Sequence, residues 1–159
     1  MKCIGTIRNE VQMSYIQDYR MHIEAAKELV DKHGGEMVKS FFEDIFSQYE
    51  DLDMVFVYAY TPSFNDGDPC YHIQHVAIDS GEIMDYVEEY LSDDADEEEI
   101  EDREINAKIS HQQSREIEQA IEGIEGLLEE RNGTDWYIFV KRETDGTISV
   151  QDGDYDCGY

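Results

Sequence analysis

Basic residues are scarce in this chain: 12 Lys and Arg stand against 39 Asp and Glu, for a formal net charge of -27. Affinity for phosphate backbones rests on Lys and Arg displacing counterions. Direct binding to DNA or RNA is therefore not expected, nor is binding to anionic lipid headgroups. Cysteines are few as well. Cys3, Cys70 and Cys157 lie far apart without a CxxC pair, and the odd count argues against a secreted disulfide framework. No apolar run approaches the ~18 residues of a membrane span. Met1 to Arg8 lacks the apolar stretch of a signal peptide. Together these absences lead to the expectation of a cytoplasmic protein, in a bacterium or in the cytosol of an infected host.

What is present argues for a folded body. The chain has 159 residues, 40% of them apolar, with 11 Tyr and 6 Phe. A wholly disordered acidic chain would be poor in aromatics. One domain over residues 1–159 is expected, with an acidic segment at 92–99 expected to be mobile.

The periodicity predicts a first helix over 14–32, opened by a capping box at Ser14 and Gln17. Ile16, Tyr19, Ile23, Ala26 and Val30 recur at alternating spacings of three and four along it. Gly34 and Gly35 read as its stop. A second helix over 36–49 carries a wide apolar face, Val38, Phe41, Phe42, Ile45, Phe46 and Tyr49, and the two should pack as an antiparallel hairpin. Residues 53–60 and 71–79 read as paired antiparallel strands. Ser80 is expected to cap a shorter helix. Another helical pattern runs from Ile105 to about Arg131, with a bend near Ser110 to Ser114. Residues 135–142 and 147–151 flank Asp145-Gly146, a strong hairpin signal. The order ααββααββ gives an α+β class: a small, mainly antiparallel sheet of about four strands packed with about four helices.

The long link between the first two strands is the most specific motif. It reads Tyr60-Thr61-Pro62-Ser63-Phe64-Asn65-Asp66-Gly67-Asp68-Pro69-Cys70. Here the chain resembles a group of uncharacterised bacterial and bacteriophage proteins. They carry a Tyr-Thr-Pro-x-Phe-Asn-Asp-Gly-Asp/Glu-Pro-Cys segment between two strands, and many finish with an acidic, aromatic strand and tail. The resemblance covers about a third of the chain. It implies a two-strand core and brings no activity with it. Physically, these residue types are turn chemistry: proline presets φ, glycine supplies positive φ, and Asn and Asp bond their own backbone. The functional alternative is a carboxylate pair, Asp66 and Asp68, holding a divalent cation through oxygen ligands.

Other constellations carry blander readings. Cys70 and His72 share a strand face and could join Cys157 in a soft metal set, but His75 points the other way and closed zinc sites show tighter paired spacings. Nothing places a base beside Cys70 or Cys157, as a nucleophile requires. The tail Asp152 to Asp156 lacks the glycine and closing Glu of a calcium loop.

The acidity reads two ways. From Asp93 to Glu104 nine of twelve residues are acidic, which alone is a solvated segment and helix start. The excess is expected to extend over the first helices and the tail too. An ordered, carboxylate-covered surface can imitate duplex phosphates and be gripped by proteins built for nucleic acid. The candidate partner-binding acids are Glu101, Glu104, Glu116, Glu118, Glu122 and Glu125, which flank an apolar stripe. The sequence therefore favours a non-enzymatic binding protein that occupies the basic surface of a host protein. A phage-encoded inhibitor of a nucleic-acid-handling or defence protein is its concrete version. The second reading is a small metal-dependent enzyme centred on Asp66 and Asp68; otherwise no cofactor is expected.

Overall fold

The computed structural model describes residues 5–62, 67, 69–90 and 105–157, with side chains for 14–62, 67, 69–86 and 105–157. Its class is the expected one: the described residues form four helices and a four-stranded antiparallel sheet in blocks, helical, two strands, helical, two strands. The elements are α1 (Gly5–Gln48), β1 (Met54–Tyr60), β2 (Ile73–Ala77), α2 (Ser80–Tyr90), α3 (His111–Glu122), α4 (Glu125–Asn132), β3 (Trp136–Arg142) and β4 (Ile148–Gly153).

The expected hairpin of two helices does not form. α1 is one helix of 44 residues that passes through Ser14, Gly34 and Gly35 without a break. Gly34 is buried, and a Cβ there would stand 3.2 Å from the Cδ of Arg131. The glycine is a close-approach site: α4 lays its last basic side chain against α1, and Arg131 then pairs with Asp152 across on β4. Each interior glycine costs a helix about 1 kcal/mol. That cost is offset by the apolar face beyond it, where Val38, Phe42, Ile45, Phe46 and Tyr49 are buried on the sheet.

The sheet order is β2-β1-β3-β4, all pairs antiparallel. β1 pairs with β2 as the sequence predicts, with Tyr58 opposite His75 and Phe56 opposite Ala77. β1 is central because both its faces are apolar. Val55, Val57 and Ala59 face α1, α3 and α4, joined by Ile138, Val140, Ile117, Ile121 and Leu128. Met54 and Phe56 face the other way and meet Ile83 of α2, Ile105, Tyr137 and Phe139. Helices thus cover both faces of the sheet. Gly146 closes the β3–β4 turn with φ +86°, as Asp-Gly requires.

Two side chains tie these layers together, and both are polar. Arg142 ends β3 beneath the C-terminus of α1, donating to the carbonyls of Phe46 (2.8 Å), Tyr49 (3.3 Å) and Leu52 (3.1 Å). Its guanidinium also sits 5.3 Å from the Phe46 ring centroid. A cation here satisfies orphan carbonyls and the negative end of the helix dipole. Arg142→Ala should cost about 2–3 kcal/mol, by the scale of charged hydrogen bonds, with Arg142→Lys recovering part of it. Denaturant midpoints of the three proteins check this, and an unchanged midpoint for the alanine variant would contradict it.

The second is Asn106, the one buried polar side chain among the described residues. It adopts φ 55°, in the left-handed region that Asn tolerates. Its Oδ1 accepts from the backbone N–H of Asp53 (2.7 Å) and Met54 (3.2 Å). Its Nδ2 donates to the carbonyls of Met54 (2.8 Å) and Ile78 (2.7 Å). One amide therefore staples the start of β1 to the end of β2. Its left-handed backbone is incompatible with a helix running on from Ile105, and the expected helix begins only at His111.

Candidate functional site

α3 begins where the sequence places a bend. Ser110 is its N-cap, and Ser110 and Gln113 form a reciprocal capping box. The helix bends at Gly123 and Ile124, and α4 continues to Asn132. Ile117, Ile121 and Leu128 are buried against the sheet, which fixes both helices in orientation.

The four described candidate acids divide between the two flanks of this buried stripe. Glu118 and Glu122 stand one turn apart on α3, and Glu125 opens α4 just past the bend, so the row is two short segments on either side of Gly123 and Ile124. Glu129, four residues further on, extends the row and was not among the sequence candidates. Glu122 and Glu129 are exposed; Glu118 and Glu125 are half-buried. Glu118 borders an open cleft of about 390 Å³ between α3, Asp79, Ser80 and Asn106. Glu116 lies on the opposite flank and serves the fold. Its carboxylate accepts from the Tyr49 hydroxyl at 3.0 Å and from Gln112 at 3.0 Å. That contact joins residues 67 apart in sequence, which no local pattern shows. Glu101 and Glu104 lie outside the described residues, as does the segment 92–99.

None of these glutamates takes part in an ion pair among the described residues. The pairs there are Lys32–Glu28, His33–Glu36, Lys39–Glu43, His75–Glu82, Lys108–Asp51 and Arg131–Asp152. Like charges at i, i+4, as in Glu118/Glu122 and Glu125/Glu129, destabilise a helix by a few tenths of a kcal/mol per pair. The row is therefore mainly negative, with Arg115 one turn before Glu118 but in no ion pair with it, and it is retained at some cost to the helices that carry it.

The metal reading has less to stand on. Asp66 and Asp68 lie outside the described residues, and no group of three His, Cys, Asp or Glu side chains gathers as a cation site among those described. Cys70 is an exposed free thiol and Cys157 a half-buried one. His72 and His75 point to opposite faces of the sheet: His72 bonds Thr61 Oγ1 at 3.2 Å, while His75 bonds Glu82. His72 is half-buried, with its Nε2 enclosed.

A cluster of tyrosines on the α2 side of the sheet escapes motif reading altogether. Tyr58 stacks on Tyr155 at 4.5 Å and on Tyr60 at 6.3 Å, and Tyr86 stacks on Phe56 at 4.6 Å. Alternation along β1 could have flagged it, since Phe56, Tyr58 and Tyr60 share one face. Burial, and then its hydrogen bond to Tyr58, push the Tyr86 phenol well above its ordinary value of 10.0. Burial and the Glu116 contact raise Tyr49 as well. The folded protein thus holds both protons where the unfolded chain releases them. Their contribution is complete below pH ~10 and falls as pH rises above it. In a phenolate titration Tyr49 and Tyr86 should ionise only as the protein unfolds. Eleven tyrosines ionising in one step with the fold intact would contradict this burial.

No helix among the described residues is long and apolar enough to cross a membrane. Comparison of the chain with protein-family models, curated proteins and solved structures finds no match.

Proposed function

We propose that this chain is a non-enzymatic binding protein that occupies a basic surface of a partner protein, with the glutamate row of α3 and α4 at the contact. The observation that carries the reading is that row: Glu118, Glu122, Glu125 and Glu129, carried on two helices whose other side is buried, and in no ion pair among the described residues. Ordered carboxylates at helical spacing offer a basic groove what duplex phosphates offer it. The net charge of -27 supplies long-range attraction to a cationic partner and repulsion from nucleic acid. In its concrete form the protein is a phage-encoded inhibitor of a host nucleic-acid-handling or defence protein. The loop resemblance to bacterial and bacteriophage proteins supports the phage source in that form and not the activity.

The first test is capture from bacterial lysate on immobilised protein at about 50 and 300 mM salt, where the Debye length falls from roughly 14 to roughly 6 Å. Retained proteins should bind nucleic acid, should be displaced by added duplex DNA, and should be lost at the higher salt. A retained partner indifferent to duplex DNA would overturn the decoy form.

A further inference from the structure

The N-terminal half of α1 leaves the body. Every side chain from Ser14 to Leu29 is exposed, and contact with the body begins around Val30 and Gly34. The apolar stripe expected to bury itself in a helical hairpin is therefore uncovered. Of the eight large apolar side chains exposed among the described residues, six lie on this arm: Tyr15, Ile16, Tyr19, Met21, Ile23 and Leu29. A lone surface leucine means nothing, but such a concentration on one projecting helix does.

The pattern names the kind of cover it needs. Ile16, Tyr19, Ile23, Ala26 and Val30 repeat at three, four, three and four, an average of 3.5, which is the period of a two-helix coiled seam. The row on one side of the seam holds Arg20 and Lys27; the row on the other holds Tyr15, His22 and Leu29. Neither row holds a carboxylate.

Charge says which helix can come. Up to residue 33 the chain has five acidic and five basic residues, which cancel. The remaining 34 acidic and 7 basic residues carry the whole of the -27. This corrects the expectation that the first helical segment shares the acidity. The arm is a long surface with almost no net charge on an otherwise self-repelling protein, and it brings the same 3.5-period seam to a meeting of two copies.

We propose that the arm is a self-association element, pairing antiparallel with the arm of a second copy along Ile16, Tyr19, Ile23, Ala26 and Val30. Parallel pairing would set two highly acidic bodies side by side. With Tyr19 level with Ile23 of the second copy, antiparallel pairing puts the bodies about 27 Å apart along the axis, at 1.5 Å per residue. That is roughly three Debye lengths at physiological salt.

Sedimentation equilibrium of the full chain from about 10 to 100 μM tests this. The wild type should sediment at twice 18.5 kDa. Ile23→Lys should weaken the dimer at least tenfold while leaving thermal unfolding of the body unchanged, since Ile23 lies on the exposed arm, outside the buried core. Met21→Lys, equally apolar but on the outer face of the arm, should sediment as the wild type does. A spin label at Asp31→Cys, with Cys3, Cys70 and Cys157 replaced by Ser, should report a separation near 30 Å, from about 20 residues of axial offset. A monomeric wild type, a dimer that survives Ile23→Lys, a monomeric Met21→Lys, or labels closer than about 15 Å would each overturn the proposal.

Discussion

Asn106→Ala is expected to destabilise the protein by about 3–5 kcal/mol, the largest effect of any single substitution considered. Four backbone groups depend on this amide: the part-buried N–H of Asp53, and the buried N–H of Met54 and carbonyls of Met54 and Ile78. Each orphaned group costs about 1–3 kcal/mol when water does not reach it. The substitution also leaves alanine at φ 55°, a conformation it adopts poorly. At roughly 2–4 °C per kcal/mol for a domain of this size, the thermal midpoint should drop by about 10 °C or more. Asn106→Asp should be nearly as damaging: it keeps the acceptor, loses both donations and buries a charge in a protein already at -27. Asn106→Gly should be milder than Ala at the backbone and equal to it in lost bonds. Midpoints of the three variants within a degree of the wild type would contradict the staple.

Reversal of the glutamate row is expected to have the largest functional effect. Glu118, Glu122, Glu125 and Glu129 changed together to Lys remove four negative charges and add four positive ones, moving the formal charge from -27 to -19. Steered association between opposite charges runs up to a hundredfold or more above the neutral rate at low salt. Roughly a tenfold slowing or more is expected when the contact patch itself is reversed. Glu116 is left in place because its carboxylate holds the Tyr49 hydroxyl. The fold should survive, since Lys propagates a helix about as well as Glu and the like-charge repulsion at i, i+4 only changes sign. Unchanged circular dichroism and thermal midpoint would separate loss of binding from loss of structure.

The strands were the legible part of this sequence. β1 is a run of apolar and aromatic residues, β2 alternates, and Asp145-Gly146 sets the second hairpin, so local pattern and global pairing agree. The helices were legible in their apolar faces and not in their ends. Gly34 and Gly35 carry the usual stop signal, yet Gly34 is used as a seat for Arg131, a contact from nearly a hundred residues away. Ser14 and Gln17 spell a capping box inside a helix that starts at Gly5. At α2 the carboxylate of Asp79 accepts from the Gly81 N–H, so the residue before the expected Ser80 takes the capping role. Asn106 leaves no periodic trace, because its partners at 53, 54 and 78 are brought to it only by the finished fold. On the candidate surface the spacing of Glu118, Glu122 and Glu125 was readable as one flank. The separation of Glu116 from them followed from the same periodicity, but its structural role needed Tyr49.

The central claim is that the row on α3 and α4 binds a basic protein surface, and association kinetics test it most directly. A partner retained from lysate is measured against the wild type and the fourfold Lys variant, at about 50 and 300 mM salt, across a Debye length of roughly 14 to 6 Å. The wild type should associate fast at low salt and markedly more slowly at high salt; the variant should be slow at both, with its fold intact. An association rate indifferent both to salt and to the four reversals would contradict the claim.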